Sequence, residues 1–275
     1  MPSYLLLGAG SLMVAAGIRL GYLFWILGAA AFMIFHIFLL LKFGHGYHHI
    51  LMVAASLLLL LGNIGLYIGQ PLYRTAEAWT GFLVLFVIGE RVELARIAGF
   101  RFPASLGVIV STLLFIISAI MGSGMTPINL AALAMIMISI SLMRYDVGLR
   151  FMDGRGFQWF LSIGLVMAYT WLIIGGFLWL LTGYSDPSLH TVFIGFTGTM
   201  ILTHAPVIIP AIIRIRHFYS DTLYAPLILL QASTIIRAAS SIIEGGLRPL
   251  SGILTVLAVA VYIGLVIFIM VYRKR

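Results

Sequence analysis

The segment GILTVLAVAVYIGLVIFIMVY, residues 252–272, contains no charged side chain. At about 1.5 Å of rise per residue, a helix of this length matches the roughly 30 Å hydrocarbon core of a bilayer. Its apolar residues run continuously instead of alternating, which argues against a barrel strand. The rest of the chain has the same character. Of 275 residues, 62% are hydrophobic and 9% charged, and the mean hydropathy is +1.14. A soluble domain carries about 25% charged residues, so this chain has too few to cover a water-facing surface. The predicted fold class is all-α: a polytopic transmembrane helical bundle, with the lipid bilayer as its first partner.

Apolar runs of about 20 residues predict ten spans, over 4–18, 21–41, 47–69, 77–97, 104–121, 126–143, 157–181, 189–213, 222–244 and 252–272. The first is short and ends at Arg19, so nine spans and a re-entrant segment fit as well. Residues 1–18 lack a basic leader and read as a first membrane segment, not a removed signal. The connections are brief, so one transmembrane domain is expected over 1–275. Net charge is +8 and the isoelectric point about 10.0. In a soluble protein this would suggest nucleic acid. Here the basic residues lie mostly in connections and the tail, and they orient the chain. Lys42, Arg96, Arg101, Arg144, Arg150, Arg155, Arg214, Arg216, Arg273, Lys274 and Arg275 fall on one face, against Arg19, Arg74 and Arg248 on the other. Positive-inside bias then predicts both termini in the cytoplasm, a multi-pass protein of a prokaryotic plasma membrane, and no nucleic-acid partner.

Cysteine is absent, which excludes disulfides, thiolate metal sites, cysteine-ligated iron–sulfur clusters and thioether-linked haem. Any redox centre must use His, Met, Asp or Glu. Ionisable groups inside spans are costly and mark function by default. His36 lies inside the second span, where it serves either as a ligand or as a neutral group bonded to a neighbouring helix. His190 and His204 are fourteen residues apart on the eighth span. On an ideal α-helix they share a face within about 40° and are roughly 21 Å apart. Gly195, Thr197, Gly198 and Thr199 between them leave room for a flat macrocycle or for a close helix. Pro206 and Pro210 are expected to kink the inner half.

In the fourth span Glu90, Arg91, Glu93 and Arg96 recur at helical spacing, with Glu93 and Arg96 able to pair. They read as a solvated helix end or as an internal ion pair. Arg237 in the ninth span needs an acid, a carbonyl cage or an anion. Glu244, seven residues on, shares its face, and His190 is expected at a similar depth. The cluster GHGYHH, residues 44–49, sits where the third span begins. His48 and His49 are expected to face different directions, one of them into the bundle toward His36 and His204. His45, between glycines, reads as the wet member.

Four stretches in order resemble a known family. HGYHHILMVAASLLLLLG is similar to the His-rich opening of a span in the NnrS family. FVIGERVELARI resembles its Gly-x-Arg segment, HTVFIGFTGTMILTHAP its His-bearing glycine helix, and LLQASTIIRAAS its Leu-x-x-Ala-x-x-x-Arg helix. Together they cover roughly residues 45–240. The chain is shorter than that family, and Ile50 stands where the family has an acid. The resemblance implies a haem- and copper-containing membrane protein of the nitric-oxide response. It implies haem b or copper ligation by His48, His49, His190 and His204, with Arg91 and Arg237 nearby; His36 joins this set from its position alone. Electron transfer or nitric-oxide chemistry is the leading expectation. The alternatives are a secondary transporter, or a membrane-anchor subunit of a respiratory complex that meets quinol and respiratory-chain partner proteins.

Overall fold

The computed structural model describes residues 2–44, 46–97, 106–121, 124–214, 219–240 and 246–272. Among these residues there are helices and turns and no strand. Seven helical stretches are long and apolar enough to cross a membrane: Leu20–Phe43, Tyr47–Tyr67, Met125–Tyr145, Phe157–Thr182, Asp186–Pro210, Asp221–Ala239 and Leu247–Met270. The chain is a multi-pass membrane protein. Three expected spans fall outside this set for physical reasons. Helices α1 (Pro2–Ala15) and α5 (Leu106–Met121) are apolar but short, while α4 (Leu72–Ile97) is long but carries charge at both ends.

The chain divides into two compact units, Met1–Ile138 and Ser139–Arg275. In the first, α1, α2 (Leu20–Phe43), α3 (Tyr47–Tyr67) and α4 pack as successive hairpins. Helices embedded in lipid gain little from hydrophobic burial between them, so close contact and buried hydrogen bonds carry the packing. Gly10 and Gly21 bring α1 and α2 together so closely that a Cβ on Gly21 would lie 2.6 Å from the Gly10 carbonyl oxygen. Asn63, buried in the last third of α3, then ties three helices. Its amide donates to the Trp25 carbonyl at 3.0 Å and its oxygen accepts from the Trp79 indole at 3.0 Å.

Helix α6 (Met125–Tyr145) contains the boundary between the units. The second unit continues with α7 (Phe157–Thr182), α8 (Asp186–His190), a π-helical stretch (Thr191–Gly198), α9 (Thr199–Ile213), α10 (Tyr224–Ala239) and α11 (Leu247–Tyr272). Ser185 and Ser188 cap the start of α8 reciprocally, with Pro187 in its first turn. Gly164 and Gly175 of α7 meet Thr203 and Thr191, which lets α7 lie against the rod formed by α8, the π stretch and α9. Gln231 of α10 plays the part that Asn63 plays in the first unit. It accepts from the Trp171 indole at 2.6 Å and donates to Thr199 at 2.8 Å. Ser233 binds α11 through the Ser251 carbonyl at 2.7 Å.

Candidate functional site

Among the described residues, the first unit holds His36, His48 and His49, and the second holds His190 and His204. In the first unit the cluster gathers where α2 ends and α3 begins. Gly44, at φ 94°, breaks α2, and Gly46 precedes α3 without a side chain because the His48 ring fills that space. A Cβ on Gly46 would stand 2.6 Å from His48 Cε1. The sequence expectation that His48 and His49 point apart is corrected. Their backbones leave the helix about 100° apart, but the rings turn together, with centroids 4.0 Å apart and planes at 42°. His48 is buried, and the Nδ1 of His49 is buried with no hydrogen-bond partner among the described residues.

His36 lies in the same unit, buried on α2. Its Nδ1 is 2.9 Å from the Phe32 carbonyl and 3.2 Å from Ser56 Oγ. Ser56 spends its own proton on the Met52 carbonyl at 2.7 Å. Two oxygens therefore face Nδ1, which fixes the proton there and leaves Nε2 as the basic nitrogen. Phe32, Phe35 and Phe86 surround the ring, with centroids at 4.3, 5.5 and 5.9 Å. His45 and the side chain of Arg96 lie outside the described residues. Arg91 is half-buried on α4, where its charge interacts with Glu90.

In the second unit the expected neighbours His190 and Arg237 do meet. Glu244, the expected acid, lies outside the described residues, and Asp186 takes that role. Arg237 Nη2 donates to Asp186 Oδ1 at 2.9 Å, and Nε stands 2.8 Å from Oδ2. Nη1 donates to the Arg248 carbonyl at 3.0 Å. His190 Nδ1 is 2.8 Å from the Asp186 carbonyl, and Nε2 lies 3.4 Å from Arg237 Nη2. Arg237 is 16% exposed and Asp186 38%, so water screens the pair. The sequence signal for Asp186 was its place in the first turn of α8, four residues before His190.

His204 is buried on α9, with Nδ1 3.0 Å from the Met200 carbonyl and 3.2 Å from Thr203 Oγ1. The shared face expected for His190 and His204 assumed an unbroken α-helix. The eight-residue π stretch between them winds more slowly than an α-helix, so His204 leaves the face that α-helical spacing gave it. The small-residue face is also occupied. A Cβ on Gly195 would lie 2.7 Å from the Trp171 ring and 2.9 Å from Thr234, and one on Gly198 would lie 3.3 Å from Leu230. A haem does not fit on this face, because helices α7 and α10 already fill it. The face is a contact surface, as the alternative reading of those residues had it.

The match to a family spans both units, over residues 2–271. The chain belongs to the family described as Domain of unknown function (DUF8744). No curated protein and no solved structure matches it. Within this domain, sequence reasoning missed two further buried polar sites. Asp146 accepts a short hydrogen bond from the fully buried Tyr169 and another from the Gly148 amide at 2.7 Å. Glu77 is buried at the start of α4, although the span boundary drawn there placed it at the edge. Among the described residues no three His, Asp or Glu side chains converge as metal ligands. Among the described residues of the first unit, His48 and His49 bring two imidazoles together.

Proposed function

We propose that this chain is an NnrS-like membrane protein that binds a redox metal, copper or haem iron, at the His48–His49 end of α3. The observation that carries this reading is the paired imidazoles with the buried Nδ1 of His49, which has no partner among the described residues. A buried polar atom without a partner is costly unless something absent from the chain satisfies it. Imidazole nitrogen suits copper and iron, and with no cysteine in the chain it is the strongest ligand on offer. When bound, the metal would supply one-electron chemistry for electron transfer or the nitric-oxide response. The chain's own part is to hold the two rings together, with Gly46 giving clearance and Phe32 and Phe86 excluding water around His36. Ten spans, cytoplasmic termini, a plasma-membrane location and a quinol or respiratory partner belong to the same reading.

The test is metal analysis and an absorption spectrum of protein purified after haem- and copper-replete expression. Near-stoichiometric copper, or a Soret band, is expected in the wild type. Either is lost in His49→Ala and kept in His204→Ala. Neither metal in the wild type, or equal retention by both variants, refutes the reading. A second reading, secondary transport, draws on the division of the chain into two units of nearly equal length, the arrangement of many transporters. Proton- or sodium-driven uptake into proteoliposomes, with no metal bound, would favour it.

A further inference from the structure

The ends of α1, α2 and α3 that meet at Arg19 enclose an open cleft of about 840 Å³ within the first unit. Its lining is polar and apolar in about equal parts: Val14, Leu23 and Leu66 are among its aliphatic side chains, and Arg19, Tyr22 and Tyr67 are its polar ones. Arg19 is exposed, and among the described residues its guanidinium has no ion pair and no hydrogen-bond acceptor. The Tyr22 and Tyr67 hydroxyls likewise have no protein partner among those residues. The two turns that frame the cleft are held open by glycine, Gly17 at φ 76° and Gly69 at φ 84°.

We infer that this cleft binds one anionic phospholipid, with the headgroup phosphate on Arg19 and the acyl chains along the aliphatic part of the lining. The location argues for a lipid. Helix ends that carry Arg and Tyr lie at the headgroup level of a bilayer, where phosphate is abundant. Guanidinium forks match phosphate oxygens two at a time, and phenols donate a single hydrogen bond each. The aliphatic part of the lining argues against free phosphate, which would leave it against water. An unpaired cation selects for net negative headgroups, because a choline would place a second positive charge near Arg19. The inference does not rest on the metal reading, since none of these residues belongs to the histidine cluster.

Native mass spectrometry of the protein reconstituted with phosphatidylglycerol or phosphatidylcholine of matched chains tests it. One retained phosphatidylglycerol per chain is expected, preferred about fivefold over phosphatidylcholine, the effect of one basic residue near an anionic surface. Arg19→Gln should abolish the preference, and Arg19→Lys should keep most of it. Leu23→Trp, which fills the cleft and leaves Arg19 in place, should reduce retention of both lipids. Equal retention of the two lipids by the wild type, or a preference that survives Arg19→Gln, overturns the proposal. So does displacement of the lipid by millimolar inorganic phosphate. If Arg19→Gln does not fold, as judged by thermal unfolding in detergent, Leu23→Trp and Arg19→Lys decide the outcome alone.

Discussion

Replacing Gly195 with alanine asks whether the small-residue face of the second unit is a packed contact or a slot for a flat ligand. The added Cβ would lie 2.7 and 3.0 Å from Trp171 and 2.9 Å from Thr234, where ordinary contact begins at 3.4 Å. Neither neighbour moves easily. Thr234 is buried, and the Trp171 indole is held by Gln231 at 2.6 Å, which in turn holds Thr199. Overpacking of this kind costs about 1–3 kcal/mol. Displacing the indole adds about 1 kcal/mol for its hydrogen bond. Alanine returns up to about 1 kcal/mol as a better helix former than glycine. The net loss is therefore about 2 kcal/mol. Gly264 on α11 is the control, because a Cβ there meets nothing within 4 Å, and Gly264→Ala should be neutral or stabilising. The assay is reversible unfolding in mixed micelles, tracked by tryptophan fluorescence. If Gly195→Ala is as stable as Gly264→Ala, the face is not packed as described, and a haem is no longer excluded from it.

The same geometry fixes three further outcomes. Asn63→Leu leaves the Trp25 carbonyl and the Trp79 indole without their partner, and should cost about 1–3 kcal/mol in the same unfolding assay. A double-mutant cycle of Asp186→Asn and Arg237→Met should give a coupling of about 1 kcal/mol that shrinks with added salt, because both groups are partly exposed; a coupling of zero at low salt would show that the ion pair does not hold α10 to α8. Burial, and the hydrogen bond to Asp221 at 2.6 Å, hold the Tyr219 phenol above its ordinary value near 10. The folded state then keeps that proton more tightly than the unfolded one, so stability is unaffected below about pH 10 and falls as pH rises beyond it. Tyr219→Phe should flatten that alkaline decline in a pH series of unfolding midpoints.

What the sequence made legible was the existence of helices. The expected span 157–181 is the helix Phe157–Thr182, and 252–272 lies within Leu247–Tyr272. Continuous apolar runs are enough for this, because lipid demands helix wherever a chain crosses it. Hydrogen-bond register within a helix was not legible. A shift from i→i+4 to i→i+5 over Thr191–Gly198 changes no composition, yet it moves His204 away from the face of His190. Partners distant in sequence were only half legible. Arg237 demanded an acid, and the one that packing brings to it, Asp186, lies 51 residues away in the chain. Gly195 was ambiguous for a related reason. A small residue signals that something comes close, and only the fold shows that Trp171 is what does so.

The histidines themselves separate on how their nitrogens are used. The Nδ1 atoms of His36, His190 and His204 each approach the carbonyl four residues back, those of Phe32, Asp186 and Met200. This contact is available to any helical histidine, and it is also how metal-binding histidines are often oriented. Back-bonding alone therefore does not distinguish a ligand from a packed ring; the surroundings of the second nitrogen do. His190 Nε2 faces the Arg237 guanidinium, which is a donor and competes with any cation for the lone pair. The His36 ring is enclosed by phenylalanines. The Nδ1 of His49 is buried and has no partner among the described residues, while its ring lies against His48. A neutral imidazole with an unmatched buried nitrogen beside a second imidazole is unfavourable in the chain alone. It becomes favourable when an electron-pair acceptor lies within reach, which is why the proposed metal is sought at α3 before the histidines of α8 and α9.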